Sequence, residues 1–374
     1  MLWLAQHPAV ARISSDAWVR ATLATVEAGP APAPTAVEWG VAKVNADDVW
    51  ALGVTGQGVV IGNTDIGIDW DHPALIASYR GWNGSSADHN YHWWDAIHVT
   101  GSSCGADSPV PCDDNGHGTH TVGTSAGQGG IGVAPGADWI GCRNMNSGWG
   151  SPSTYLECWQ FMLAPTDLAG QNPSPALGAD IINNSFGCPT SEGCAAKTEL
   201  TAAADNLRAA GVFMAVSAGN SGSSCSTLYD PPGLIDSVIS IGATSNTDVI
   251  AAFSSRGPTA AGLLKPDLVA PGVWVRSSTP GGGYGFSSGT SMAAPHVAGV
   301  VALLWSANPS LKNDVDATEA LLRQTAQPLT SAQTCGGVPG SQTPNNTFGY
   351  GRVDALAAYV AMLPYRLYFP IVGR

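Results

Sequence analysis

Asp65, His117 and Ser291 stand in short runs of small residues: Thr64-Asp65-Ile66-Gly67-Ile68-Asp69, Asn115-Gly116-His117-Gly118-Thr119-His120-Thr121, and Gly289-Thr290-Ser291-Met292-Ala293-Ala294-Pro295-His296. A serine hydroxyl attacks a carbonyl at neutral pH only when a neighbouring imidazole takes its proton, and the imidazole needs a third group to fix its tautomer. Ser291, His117 and Asp65 fill those roles of nucleophile, base and orienting carboxylate. His117 and His120 are three apart, but no Glu lies between them in the i, i+4 pattern of a zinc peptidase, so His120 is expected to be a packed neighbour.

The chain order separates fold types, since α/β-hydrolases run Ser, Asp, His and chymotrypsin-like enzymes His, Asp, Ser, whereas subtilisin runs Asp, His, Ser. Here the order is the last. The runs His117-Gly118-Thr119-His120, Ser217-Ala218-Gly219-Asn220, Phe253-Ser254-Ser255-Arg256-Gly257-Pro258 and Gly289-Thr290-Ser291-Met292-Ala293 resemble the subtilases, over roughly Val37 to Ala358. Trp159 to Asp167 and Asn183-Asn184-Ser185-Phe186-Gly187 resemble the bacillopeptidase F branch of that family, secreted bacterial endopeptidases.

The resemblance implies Asp65 rather than Asp69 as the orienting carboxylate, with Asp69 fixing a loop. Ile66 departs from the Thr or Ser usual after that Asp and could loosen a hydrogen bond there. Asn220 matches the family's oxyanion-hole Asn, whose amide would join the backbone N–H of Ser291 in stabilising the tetrahedral oxygen. Substrate would bind as an added strand between Ser185-Phe186-Gly187 and Gly148-Trp149-Gly150, near Ser217-Ala218-Gly219. Trp149 and Phe186 are candidates for apolar subsites, and Ser221 leaves no acidic charge beside Asn220. An apolar or aromatic residue before the cleaved bond is therefore expected, with otherwise broad specificity. No cofactor is required by this chemistry. Structural Ca²⁺ is a possibility from the resemblance, although His72-Pro73-Ala74 lacks the loop acid used by many relatives; Asp69, Asp71, Asp113 and Asp114 are the remaining oxygen donors.

The elements that must hold these residues follow the α/β pattern. Val59-Val60-Ile61, Ala179 to Ile182, Val212 to Val216 and Val238 to Ile241 read as buried parallel strands, and Tyr155–Leu168, Lys197–Ala210 and Ser291–Ser306 as helices between them. The expected fold is a subtilisin-like three-layer α/β domain with a mostly parallel central sheet covered by helices. Residues 36–361 are expected to form it. Residues 1–35 read as the end of a propeptide, which would act as an intramolecular inhibitor, followed by a Pro/Ala linker, with processing between Ser14 and Thr35. Pro8 to Ile13 resembles the propeptide strand that enters the cleft. Residues 362–374 read as an apolar tail or the start of a further segment.

Composition narrows the alternatives. In 374 residues the net charge is -13 with 11% charged and 44% hydrophobic residues, which excludes a basic nucleic-acid footprint and a solvated disordered chain. Eight cysteines form an even set without C-x-x-C spacing, favouring an oxidising compartment over a zinc ribbon. Close spacing suggests Cys104 with Cys112, Cys142 with Cys158 and Cys188 with Cys194, which leaves Cys225 with Cys335, although many connectivities are open. No run of apolar residues is long enough for a membrane span. Met1 to Ala5 lacks a basic region before a full apolar segment, so an export signal is expected outside this sequence. The expected molecule is a secreted, monomeric endopeptidase acting on proteins. The rivals are a silent peptide-binding groove and an esterase, the latter disfavoured by Ala293 in place of the second Gly of Gly-x-Ser-x-Gly.

Overall fold

The computed structural model describes residues 7, 10, 12–21, 25, 26 and 31–363. Its centre is a seven-stranded sheet of β1 (Val60–Asp65), β2 (Trp93–Asp95), β3 (Asp138–Arg143), β4 (Ile181–Asn184), β5 (Phe213–Ser217), β6 (Ile239–Thr244) and β7 (Leu268–Pro271), in the order β7-β6-β5-β4-β1-β3-β2. Every neighbouring pair is parallel. Parallel strands need crossovers that cover both faces, and buried strands of this kind have apolar side chains on each side. β1, β4, β5 and β6 were legible as apolar runs. β3 and β7 are equally buried but mix Asp, Gly, Cys, Arg and Pro with few branched residues, and β2 is only three residues long.

Two hydrophobic clusters fill the spaces above and below the sheet. One gathers α1 (His117–Ala126) and α4 (Thr290–Ala307) against β1, β5, β6 and β7. The other gathers α2 (Pro152–Leu163) and α3 (Lys197–Ala209) against the opposite face. α4 is apolar all round because it crosses the middle of the first layer and packs on the sheet, on α1 and on the last helix. It is long and apolar enough to cross a membrane, yet 89% of that window is buried inside the protein, as in a core helix.

Sequence reading carried α2 on to Leu168, but the helix stops at Leu163, two residues before Pro165. Ala164, which precedes the proline, has φ -145° and ψ 79°, outside the helical region, as the ring of a following proline requires. The eight cysteines pair as Cys104–Cys112, Cys142–Cys158, Cys188–Cys194 and Cys225–Cys335, with Cα–Cα distances of 5.8, 5.5, 5.7 and 5.3 Å. The segment Pro8 to Ile13 lies partly outside the described residues, and the apolar tail lies outside them from residue 364 onward.

Candidate active site

Asp65 is the last residue of β1, and its register partner on β3 is Arg143, so the carboxylate stands at the carboxyl edge of the sheet, where parallel α/β folds collect their ligands. His117 opens α1 behind Gly116, whose φ of 98° is left-handed and suits glycine. Asp113 secures that start: it accepts from the N–H groups of Asn115, Gly116 and Thr119 at 2.9, 2.7 and 3.1 Å and from the Thr119 hydroxyl at 2.5 Å.

The imidazole is thereby presented to Asp65. His117 Nδ1 lies 2.7 and 2.9 Å from the two carboxylate oxygens, and both side chains are buried. The N–H of Ile66 donates to Asp65 Oδ1 at 2.8 Å, and Thr121 Oγ1 lies 3.3 Å from Oδ2. The hydroxyl missing at Ile66 is therefore supplied by Thr121, one turn along the histidine's own helix. Burial alone would lower the His117 pKa, but the charge and hydrogen bond of Asp65, with the more distant charge of Asp113, raise it above the ordinary histidine value. His117 Nε2 is buried and has no hydrogen-bond partner among the described residues.

Ser291 lies in the first turn of α4 and is held by two bonds to one residue. Its hydroxyl donates to the Ser185 carbonyl at 2.8 Å, and the Ser185 hydroxyl donates to the Ser291 carbonyl at 3.0 Å. The second bond has a cause in the sequence. Pro295 has no N–H for the carbonyl four residues earlier, so Ser291 C=O is left free within the helix for Ser185. Beneath the site, Asn183 Nδ2 donates to Asn63 Oδ1 at 2.9 Å and to Ser185 Oγ at 3.0 Å, and Thr121 Oγ1 lies 3.2 Å from Asn63 Oδ1. A buried polar network thus runs from Asp65, which holds His117, to Ser185, which holds Ser291. Sequence reading gave Asn63, Thr121 and Asn183 no role of their own, although the last two stand in the quoted runs, because they carry no chemistry themselves.

Asn220 follows β5 after Ser217-Ala218-Gly219, with Gly219 at φ 97°. Its Oδ1 accepts from Thr290 N at 2.9 Å and Thr290 Oγ1 at 3.0 Å, which fixes the amide and leaves Nδ2 without a partner among the described residues. Gly187, Ser217, Ala218, Gly219, Asn220 and Asp230 are among the walls of one pocket beside it. Asp230 was not anticipated, because it lies outside the quoted runs and only the fold brings it back beside Gly187. Phe186 was placed as an apolar subsite, but it is 1% exposed and stacks on Tyr155 with ring centroids 4.5 Å apart. It is a core residue. Trp149 is 44% exposed and lines a shallow groove with Trp18, Val99, Gly101, Asn146 and Ser147.

That groove already carries a strand. Val19–Arg20 pairs antiparallel with Trp149–Gly150, and Ala21 N donates to Gly148 O at 2.9 Å. Arg20 N donates to Glu192 Oε2 at 2.6 Å. Thr25–Val26 then pairs with Ser287–Ser288, immediately before Gly289 and Ser291. The described N-terminal segment on the groove strand is Val19–Ala21.

The wall of the groove is anchored by Arg143, whose guanidinium is fully buried. It bonds to Asp95 at 3.0 Å, Asp114 at 2.8 Å, Ser102 Oγ at 2.7 Å and Gly105 O at 3.0 Å. Asp114 Oδ1 in turn accepts from Ser147 N at 2.9 Å, next to the groove strand. Three of the four candidate calcium carboxylates have partners within the protein. Asp113 caps α1, Asp114 pairs with Arg143, and Asp69 accepts from Gly281 N at 2.8 Å. No group of three or more His, Cys, Asp or Glu residues among the described residues is placed to hold a metal.

Residues 56–351 match the family described as the subtilase family. The chain belongs to the subtilase family. This subtilase is 38% identical over 343 residues to bacillopeptidase F of Bacillus subtilis (strain 168), an alignment covering 87% of this chain and 22% of that protein. It is 34% identical over 280 residues to subtilisin DY of Bacillus licheniformis, covering 74% of this chain and 86% of that one. With subtilisin E of Bacillus subtilis (strain 168) it shares 33% identity over 283 residues, 74% of this chain and 63% of that protein. The chain thus corresponds to about a fifth of bacillopeptidase F and to most of the length of the subtilisins.

Proposed function

We propose that this subtilase is a secreted, monomeric serine endopeptidase that cuts proteins through an acyl-enzyme on Ser291. The observation that carries the reading is the imidazole of His117, pinned at Nδ1 by both oxygens of Asp65, with a buried Nε2 that has no partner among the described residues. That nitrogen is the base. The Ser291 hydroxyl turns from the Ser185 carbonyl to Nε2, attacks the scissile carbonyl and loses its proton to His117, while Asp65 stabilises the imidazolium. Asn220 Nδ2 and the Ser291 N–H hold the oxyanion. His117 then protonates the leaving amine, and a water repeats the sequence to release the acid. The four disulfides fit an oxidising, extracellular setting.

Backbone pairing along Gly148-Trp149-Gly150 makes the specificity broad, with apolar side chains favoured where the substrate strand passes Trp149. The chain's own Val19–Ala21 occupies that strand position, which supports a propeptide-like arm that blocks the cleft until it is cut between Ala21 and Thr25. N-terminal sequencing of the active protein beside a Ser291→Ala variant tests both parts. A new N-terminus within residues 22–25, absent from the variant, is expected. An uncut arm in a protein that digests casein would contradict the arm's role, and failure to digest any protein would contradict the peptidase reading.

A further inference from the structure

We infer that Asp230 makes the pocket beside Asn220 selective for a basic side chain, so that Lys or Arg is preferred immediately before the scissile bond. The inference rests on the endopeptidase reading and names its substrate class. It also replaces the apolar preference that Ser221 suggested at this position.

The location of the pocket follows from its walls. Gly187 follows Ser185, whose carbonyl is bonded to the Ser291 hydroxyl at 2.8 Å, and Asn220 is the oxyanion donor. A pocket bounded by both lies where the side chain whose carbonyl is attacked would point. A Cβ added at Gly187 would find nothing nearer than Asp230 Cβ and Pro231 O, each at 3.7 Å, so Asp230 stands directly across the space that Gly187 leaves open.

Among the described residues the charge there is uncompensated. Asp230 Oδ1 accepts from Thr190 N at 2.9 Å and Thr190 Oγ1 at 3.1 Å, which fixes the carboxylate, while Oδ2 has no hydrogen-bond partner among the described residues. No Lys or Arg side chain among those residues pairs with Asp230 or with neighbouring Glu192. Burial, together with the charge of Glu192, raises the Asp230 pKa despite the Thr190 bonds. A cation entering the pocket would relieve both penalties and bond to the open oxygen. An apolar side chain would bury the carboxylate without a partner. The arm carries no Lys or Arg between Ala21 and Thr25. Tethering supplies a strand at roughly millimolar effective concentration, so self-cleavage does not depend on this pocket.

The test uses the full chain after maturation and a set of peptides identical except for Lys, Arg, Phe, Leu or Glu before the scissile bond. The expected kcat/KM for Lys or Arg exceeds that for Phe by about tenfold, the worth of one hydrogen bond to a charged group. The Lys-to-Phe ratio should fall by about the same factor in Asp230→Asn and shrink as salt is raised. Phe cleaved as well as Lys by the unmodified protein overturns the inference while leaving the endopeptidase reading intact, and needs no variant to fold. A basic preference unchanged in an Asp230→Asn protein that still reacts with a fluorophosphonate would assign the selectivity elsewhere and overturn it too. No cleavage of any peptide by a fluorophosphonate-reactive chain would remove the endopeptidase reading and this inference together.

Discussion

Replacing Arg143 by Met keeps most of the side-chain volume and removes the cation that bridges two carboxylates. Arg143 is fully buried, and Asp95 and Asp114 have side chains 1% exposed, at 3.0 and 2.8 Å from its guanidinium. Burial already raises the Asp95 pKa against the opposing charge of Arg143, so loss of that charge raises it further. Breaking a buried pair from one side costs about 3–5 kcal/mol because the remaining charge is left unpaired, and here two charges are left. Partial protonation of Asp95 limits the loss, so Arg143→Met should destabilise the fold by about 3–5 kcal/mol. Urea unfolding in a Ser291→Ala background, which prevents self-digestion, measures this. In the active protein the same change frees Asp114, which holds Ser147 beside the groove strand, so KM should rise more than kcat falls. Adding Asp114→Asn should recover at least about 1 kcal/mol, since contacting residues couple. A loss below about 1 kcal/mol, or no recovery, would refute Arg143 as the anchor of the groove wall.

Further expectations follow from the same geometry. The base works only when neutral and its pKa is raised, so kcat/KM should climb with pH through a value above the reference histidine value of about 6.5; a limb below about 6 would contradict the pairing with Asp65. For the same sign, stability from the His117–Asp65 pair is full below the unfolded histidine value and is lost as pH rises through the folded one, which pH-dependent urea midpoints of Ser291→Ala would follow. Asn220→Ala should cost about 10² to 10³ in kcat with little change in KM, the range for losing one such donor in a subtilisin. Cys225–Cys335 closes a loop with a sequence separation of 110. Breaking it by paired Ser substitution should therefore lower stability by about 4–5 kcal/mol, against about 2 for Cys188–Cys194 at a separation of 6, as urea midpoints would report.

Much of this was readable from the amino-acid order alone. The candidate residues Asp65, His117, Ser291 and Asn220 each stand in a short local run of small residues, so they could be named before the structure set Asp65 against His117, and cysteines close in sequence have few sensible partners. Strands with apolar side chains on both faces were visible for the same local reason. What stayed hidden depends on contacts between distant segments. Asn63 and Asn183 meet only because β1 and β4 are neighbours in the sheet. Phe186 reads as a candidate subsite until Tyr155 is packed over it. Asp230 becomes part of the cleft only when its loop folds back on Gly187, and Arg143 gathers Asp95, Ser102, Gly105 and Asp114 from separate turns. The pairing of Val19–Ala21 with the groove strand was not foreseen, because it runs through backbone groups, which leave no side-chain signature.

The central claim is that Ser291 is an activated nucleophile, and intact-mass spectrometry before and after treatment with a fluorophosphonate tests it most directly. A single adduct on the folded, oxidised protein that disappears in Ser291→Ala is the predicted result. A matured chain, free of its N-terminal arm, that takes up no adduct would contradict the account.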